Sequence, residues 1–310
     1  MILAGDIGGT KTILALCDDD GRVVHEATEQ SDDWASLEQI VEKFAPGRVR
    51  AACFGVAGPV TDGVAKITNL PWTIATASLA AKLHAKVSLI NDLQATALGT
   101  LVLPASGFAT LQTGTHVERG SIAVIAPGTG LGEAALWHDG VRYHALPSEG
   151  GHADFAPGTD DEVLLLRHLR GLYGDHVSYE RVLSGHGLAD LYGFWRARTG
   201  EPDVSGADPA HVSDAALRHT DTCAVRALAM FVEILGAEAG NLALRGMATG
   251  GIVIGGGIAP KILTALKTDA FLARLTAKGR FSDWTRALTV RVALEPRAAL
   301  LGAAHQATLL

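Results

Sequence analysis

Cysteine is nearly absent from this chain of 310 residues: Cys17, Cys53 and Cys223 are odd in number and far apart. That spacing excludes a disulfide framework and a paired Cys-x-x-Cys metal knuckle, and leaves buried, reduced thiols as the reading. Runs of one charge are missing too. The 26 Lys and Arg against 33 Asp and Glu give a net charge of -7 at pH 7, without a basic cluster. Neither the phosphate backbone of a nucleic acid nor an anionic membrane surface suits that distribution, so no nucleic-acid or membrane partner is expected. No uninterrupted apolar run reaches about eighteen residues, the length that reads as a spanning helix. The start of the chain, Met1-Ile2-Leu3-Ala4-Gly5-Asp6, carries no basic region followed by a signal-length apolar stretch. A cytoplasmic location is the expectation from these features. Low-complexity tracts and solenoid periods are also absent.

What remains is an ordinary globular composition, 48% apolar and 19% charged, with 36 glycines. Many of those glycines follow apolar runs, and this organises the rest of the reading. At about 100–200 residues per domain the length predicts two lobes, with room for a cleft. Strand signals at Ile2–Ala4, Thr12–Cys17 and Arg22–Ala27 form an antiparallel meander, the last two joined across Asp18-Asp19-Asp20-Gly21. Leu37, Ile40, Val41 and Phe44 recur at helical spacing before Pro46-Gly47, and further strands are predicted at Ala51–Val56 and Val87–Ile90. The second half repeats the logic with strands at Ile122–Ala126, Ile252–Ile254 and Leu288–Leu294. One or two long helices are predicted over Ala215–Leu244, and a closing helix over Arg297–Leu310. The fold class is α/β.

The chemistry begins at Asp6-Ile7-Gly8-Gly9-Thr10-Lys11, a strand end followed by two glycines and a hydroxyl. Glycines let backbone N–H groups approach an anion, so this turn can cradle phosphate, with Asp6 holding Mg²⁺ through water. A plain tight hairpin explains the same residues equally well. A Walker A loop is excluded, because the Gly-Lys-Ser/Thr ending and following helix are missing. Gly128-Thr129-Gly130-Leu131-Gly132 is a second such loop, and the pair suggests two lobes gripping one polyphosphate. A third cluster, Gly250-Gly251 and Gly255-Gly256-Gly257, can either pack against a flat adenine ring or serve strand–helix packing. Pro260 is expected to help start the helix that follows.

Asn91-Asp92 ends an apolar strand, where open α/β sheets place ligands, although Asp92 also suits a helix N-cap. Leu146–Asp154 gathers Glu149, Gly150, Gly151 and His152 into one loop, and Glu180–Gly185 adds another carboxylate. No further His or Cys stands at zinc-ligand spacing from Glu149 and His152. Carboxylates and amides grouped with glycines suit a polyhydroxylated neutral ligand, since they accept bonds from several hydroxyls in fixed directions. That ligand class is sugars.

Taken together in order, these segments resemble the bacterial glucokinase family of the hexokinase, actin and Hsp70-like ATPase superfamily. The matching stretches are Gly5–Thr10, Thr68–Trp72, Ile90–Asp92, Gly128–Gly132, Glu149–Pro157, Glu180–Gly185, Gly240–Leu244, Gly256–Ile258 and Lys278–Phe281. The resemblance implies a two-lobed actin-like ATPase (ribonuclease H-like) fold with a central cleft. The expected division is a small domain of residues 1–102 plus 295–310 and a large one of 103–294. It also implies transfer of the ATP γ-phosphate to the 6-hydroxyl of D-glucose, with Mg²⁺ and in a homodimer. Asp92 would be the general base, and Asn69, Asn91, Glu149, His152 and Glu180 would hold sugar hydroxyls. Gly5, Asp6, Ile7, Gly8, Gly9 and Thr10 would serve ATP, as would Gly128, Thr129, Gly256 and Gly257. Three departures stand out: Lys11-Thr12 where Asn-Ala is frequent, Ser148 where Gly is usual, and Pro127 before the second loop. Lys11 makes the first loop similar to that of the ROK kinases, whose Cys-rich zinc motif is missing here, and bears on the choice of phosphoryl donor. The alternatives are a kinase for another hexose, such as mannose or glucosamine, and a non-catalytic sugar sensor.

Overall fold

The computed structural model describes residues 1–44, 47–67, 70–115, 117–202 and 206–310. The chain divides into two units: Met1–Gly107 with Val141–Pro147 and Glu295–Leu310, and Phe108–Gly140 with Ser148–Leu294. Val141–Pro147, which the sequence placed inside residues 103–294, thus groups with the first unit.

In the first unit the strand Ile2–Ile7 is apolar on both faces, as a strand covered on both sides must be. It pairs antiparallel with Lys11–Cys17, which pairs antiparallel with Val23–Gln30; on its other side it runs parallel to Ala51–Val56, and that strand parallel to Lys86–Asn91. Side-chain alternation then sorts the core into two layers. Leu3 and Ile7 pack with Leu37, Ile40 and Val41 of the helix Leu37–Phe44. Ile2 and Ala4 pack with Leu300, Ala303 and Ala307 of the closing helix Ala298–Thr308. Cys17 and Cys53 lie in that second layer, and burial pushes both thiols up, Cys17 to about 11. They are packing residues.

Two glycines let the closing helix seat against the helix Asp92–Gly99. A side chain at Gly99 would run into the Ala298 carbonyl, and one at Gly302 into the Ala95 carbonyl. Gly55 does the same for the sheet, since a Cβ there would stand 2.8 Å from the Ala95 Cβ. The helix that begins at Asp92 is therefore clamped between strand and closing helix by positions where any side chain is too large.

The second unit repeats the hairpin-then-parallel plan. Ile122–Pro127 pairs antiparallel with Leu131–His138 and parallel with Gly251–Ile254, which runs parallel to Val290–Ala293; Phe108–Gln112 closes that edge antiparallel. The expected helical stretch Ala215–Leu244 resolves into two helices, Pro209–Leu217 and Thr222–Gly246. At the break Asp221 accepts the Ala224 backbone N–H and starts the second helix, while Asp208, with Pro209 at the first helical position, caps the first. Thr222–Gly246 is long and apolar enough to cross a membrane by length and composition, yet 72% of its most apolar window is buried inside the protein. It is a core helix. Pro260 does not start a helix; it lies in the turn after the glycines, and the next helical residues are Leu263–Leu266.

Gly302→Ala is expected to lower stability by about 1–3 kcal/mol through overpacking. Gly193→Ala, inside the helix Gly185–Thr199 with nothing within 4 Å of the added Cβ, should raise it by about 0.5–1 kcal/mol. Urea midpoints at equal m-value check both signs.

Candidate functional site

The parallel register of the first unit aligns Ile7, Val56 and Asn91 at one edge of the sheet. Ligands of open α/β sheets bind beyond such carboxyl ends. Asp6, the Gly8–Thr10 turn, Asn91 and Asp92 all belong to that edge.

The turn is held open by a residue the sequence reading did not single out. Ser31 donates its hydroxyl to the Gly8 carbonyl at 2.9 Å and its backbone N–H to the Thr10 carbonyl at 2.9 Å. Its hydroxyl also lies 3.0 Å from that of the buried Thr12. Nothing local in the sequence connects Ser31 to this turn; strand pairing across Lys11 and Gln30 delivers it. Of the expected nucleotide residues here, Gly5 and Ile7 are buried, and the Phe54 ring fills the space a Gly5 side chain would need. Both lie in a strand paired on two sides, and neither presents a side chain to a ligand. Gly8 and Gly9 are half-buried and Thr10 is exposed.

At Asn91-Asp92 the competition between cap and ligand is resolved by one residue. Asn91 is the N-cap: its Oδ1 accepts from Leu93 N at 2.8 Å, while its own N–H donates to Gln94 Oε1 at 3.0 Å, a complete capping box. Its Nδ2 donates to the Gly58 carbonyl at 3.2 Å, and Gln94 Nε2 to the Ala145 carbonyl at 2.9 Å. One Nδ2 hydrogen and one Oδ1 lone pair of Asn91 are thus used within the chain, and the amide keeps a second donor and a second acceptor site. Asp92 stands at the first helical position, where the helix dipole favours a negative charge. Burial first, and the Asp92 carboxylate second, push the Asp6 carboxyl up to about 6. The Asn-x-x-Gln spacing was the sequence signal for this cap.

The second unit gathers the other expected residues. Glu180 Oε2 accepts from Leu131 N at 2.9 Å, which holds the carboxylate against the Gly128–Gly130 turn; a side chain at Gly130 would strike it. His152 faces two carboxylates, Nδ1 at 3.9 Å from Glu180 Oε1 and Nε2 at 4.0 Å from Glu149 Oε2. Glu149 and His152 are exposed, as is Thr129. Gly128 accepts from Gly185 N at 2.9 Å, so the helix Gly185–Thr199, capped by Ser184, starts beside the turn. Gly256 has φ of 77°, and a Cβ there would run into the Pro127 carbonyl oxygen, so both backbone and space demand glycine. Gly257 has nothing within 4 Å of where a side chain would begin. The departure at Ser148 also has a role, since its Oγ accepts from Gly150 N at 2.9 Å. Asn69 lies outside the described residues.

A profile of the glucokinase family matches residues 3–309. The chain is 38% identical over 334 residues to the glucokinase of Trichormus variabilis, covering 98% of each. It is 37% identical over 307 residues to that of Erwinia tasmaniensis, covering 97% of this chain and 94% of the relative. A crystal structure of a glucokinase from an Antarctic psychrotroph superposes with a TM-score of 0.88 at 32% identity, covering 100% of this chain and 99% of the other.

Asn91→Ala is expected to cost about 1 kcal/mol of stability through loss of the cap, and Asn91→Ser to recover most of it. Urea titration followed by circular dichroism checks the difference.

Proposed function

The chain belongs to the glucokinase family, and from that membership we propose that it transfers the γ-phosphate of ATP to the 6-hydroxyl of D-glucose with Asp92 as general base. It is a sugar kinase that phosphorylates glucose, with the actin-like ATPase fold. The observation that carries the assignment of Asp92 is the division of labour at the strand end. Asn91 does the capping, so the Asp92 carboxylate is not the helix's N-cap ligand. A clamped helix start holds it in place.

Phosphoryl transfer depends on position and charge neutralisation more than on a strong base. A carboxylate is a far weaker base than an alkoxide, so Asp92 orients the 6-hydroxyl and takes its proton late, as the bond to phosphorus forms. Gly8 N–H donates to the Lys11 carbonyl at 2.9 Å and Gly128 N–H to the Gly130 carbonyl at 2.8 Å, which closes the two turns; the backbone N–H groups of Gly9, Thr10 and Thr129 then serve the phosphate oxygens, where fixed donors need no reorganisation as charge moves. Glu149, His152 and Glu180 accept or donate to sugar hydroxyls. Because Leu131 N already holds Glu180 Oε2, Oε1 is the oxygen left toward His152 and the sugar. Asn91 caps the helix that begins at Asp92 and is proposed, through the rest of its amide, as a sugar contact, as is Asn69.

Mg²⁺ fits the first unit. Asp6 and Asp92 are carboxylates close enough to raise the Asp6 pKa, and Mg²⁺ takes one or two carboxylates together with phosphates and water. Asp6 would hold it through water; when bound, it neutralises charge on the phosphates. A cytoplasmic place in sugar breakdown and a homodimeric state complete the proposal.

A coupled assay of ADP and sugar phosphate over glucose, mannose, fructose, galactose and glucosamine tests the reading on wild type and Asp92→Asn. Glucose should give the highest kcat/KM, and Asp92→Asn should lose about 10²–10⁴-fold in kcat while still binding glucose. Turnover by Asp92→Asn equal to wild type would remove Asp92 from the mechanism, and a preference for another hexose would move the substrate.

A further inference from the structure

Beneath the Glu149–His152 turn lies a buried acid that the reaction does not use. Glu133, on the strand Leu131–His138, has a side chain with no solvent exposure. Its Oε2 occupies the place a side chain on Gly150 would take, with the Ser148 Oγ beside it. The Gly150–Gly151 backbone therefore rests on this strand, Gly150 over the Glu133 carboxyl and Gly151 over the Leu131 carbonyl. Glu149 and His152 are the residues on either side of those two glycines.

A second buried carboxyl, Glu238 on the helix Thr222–Gly246, shares with Glu133 a single guanidinium. Arg245 Nη2 donates to Glu238 Oε1 at 2.7 Å, and its Nη1 is 3.6 Å from Glu133 Oε2. The other Glu238 oxygen accepts from Asn241 Nδ2 at 2.9 Å, and Asn241 is fixed in turn by Lys278 Nζ at 2.6 Å. Both Glu238 oxygens are thus satisfied by charged or polarised donors. Neither Glu133 oxygen has a hydrogen-bond donor within reach among the described residues. One cation cannot neutralise two desolvated carboxylates, and the acid without donors is the one that keeps its proton.

We propose that Glu133 is a positioning residue for the sugar site: its uncharged carboxyl is the floor that fixes the Gly150 turn, and through it Glu149 and His152. This deepens the glucose reading and rests on it. Burial, then the charge of Glu238, push Glu133 up to about 7, against the pull of Arg245. The groups facing this pair are Arg245 on the same helix as Glu238, Tyr179 beside Glu180, and Lys278 through Asn241. His152, Glu149 and Glu180 stand at the turn. Above pH 7 a second negative charge forms directly under Gly150, where it has no donor to receive it, and the turn gives way.

The test is the dissociation constant of glucose, measured without nucleotide by intrinsic fluorescence between pH 6 and 8.5. If only the protonated acid presents the turn correctly, the wild-type constant rises about tenfold between pH 6 and 8. Glu133→Gln, uncharged at every pH, should bind as wild type does at pH 6 and lose that rise, leaving any slope that His152 contributes. Glu238→Gln removes the neighbouring charge and should move the midpoint of the rise to lower pH, which a merely structural role would not do. A flat wild-type profile, or the same rise in Glu133→Gln, overturns the proposal. Glu149→Gln at pH 6 separates the two levels: glucose binding unchanged in that variant refutes the sugar-site reading itself, whatever Glu133 does.

Discussion

The parallel pairing of Ile2–Ile7 with Ala51–Val56, and of that strand with Lys86–Asn91, is the constraint from which the first half of the site follows. Because the register ends the strands together, Asp6 and Asp92 meet at one edge although the chain between them runs through two α-helices, Leu37–Phe44 and Thr76–Leu83, and several further strands. A slip by one residue would turn Leu3 and Ile7 out of their layer and point Ile2 and Ala4 into it. The core pattern therefore protects the placement of Asp6 and Asp92. Packing specificity and chemical specificity are here the same requirement.

Both units place polar groups where the main chain already needs them, and then divide the work among neighbours. Asn91 satisfies helix and loop where Asp92 begins the helix; one oxygen of Glu180 anchors a glycine turn while the other faces His152. Such sharing keeps a functional carboxylate rigid without an additional supporting side chain. It also makes the supports sensitive, since an orphaned buried donor or acceptor costs about 1–3 kcal/mol. Ser31 under the Gly8 turn and Glu133 under the Gly150 turn are supports of this kind, one hydrogen-bonded and one relying on its neutral state.

The glycines show why the same residue type means different things at different turns. At Gly128 only the Gly130 carbonyl comes within 4 Å of where a side chain would begin, and at Gly8 the Lys11 carbonyl stands 3.1 Å away; at Gly55, Gly99 and Gly302 atoms from other elements stand closer still. Gly256 belongs with the second group, filled by the Pro127 carbonyl, and Gly257 with the first. A glycine after a strand is therefore ambiguous until its neighbours across the fold are known.

The strands within Ile2–Ile7, Lys11–Cys17, Ala51–Val56, Ile122–Pro127 and Gly251–Ile254, the helix Leu37–Phe44, the α/β class and the turns after those strands were readable in the sequence, because alternation, helical spacing and glycine punctuation are local; the strand Phe108–Gln112 and the helices Asp160–Tyr173 and Gly185–Thr199 were not read. The ordered set of motifs, from Gly5–Thr10 to Lys278–Phe281, identified the family for the same reason. Tertiary structure alone decided that Asn91 and not Asp92 is bound up in the cap of a clamped helix, that Val141–Pro147 joins the first unit, and that Gly256 is a packing residue. It also decided which of two buried acids, Glu133 or Glu238, has donors. Each of those outcomes depends on what a residue meets from a distant part of the chain, and on whether a donor, a cation or only apolar surface is there to meet it.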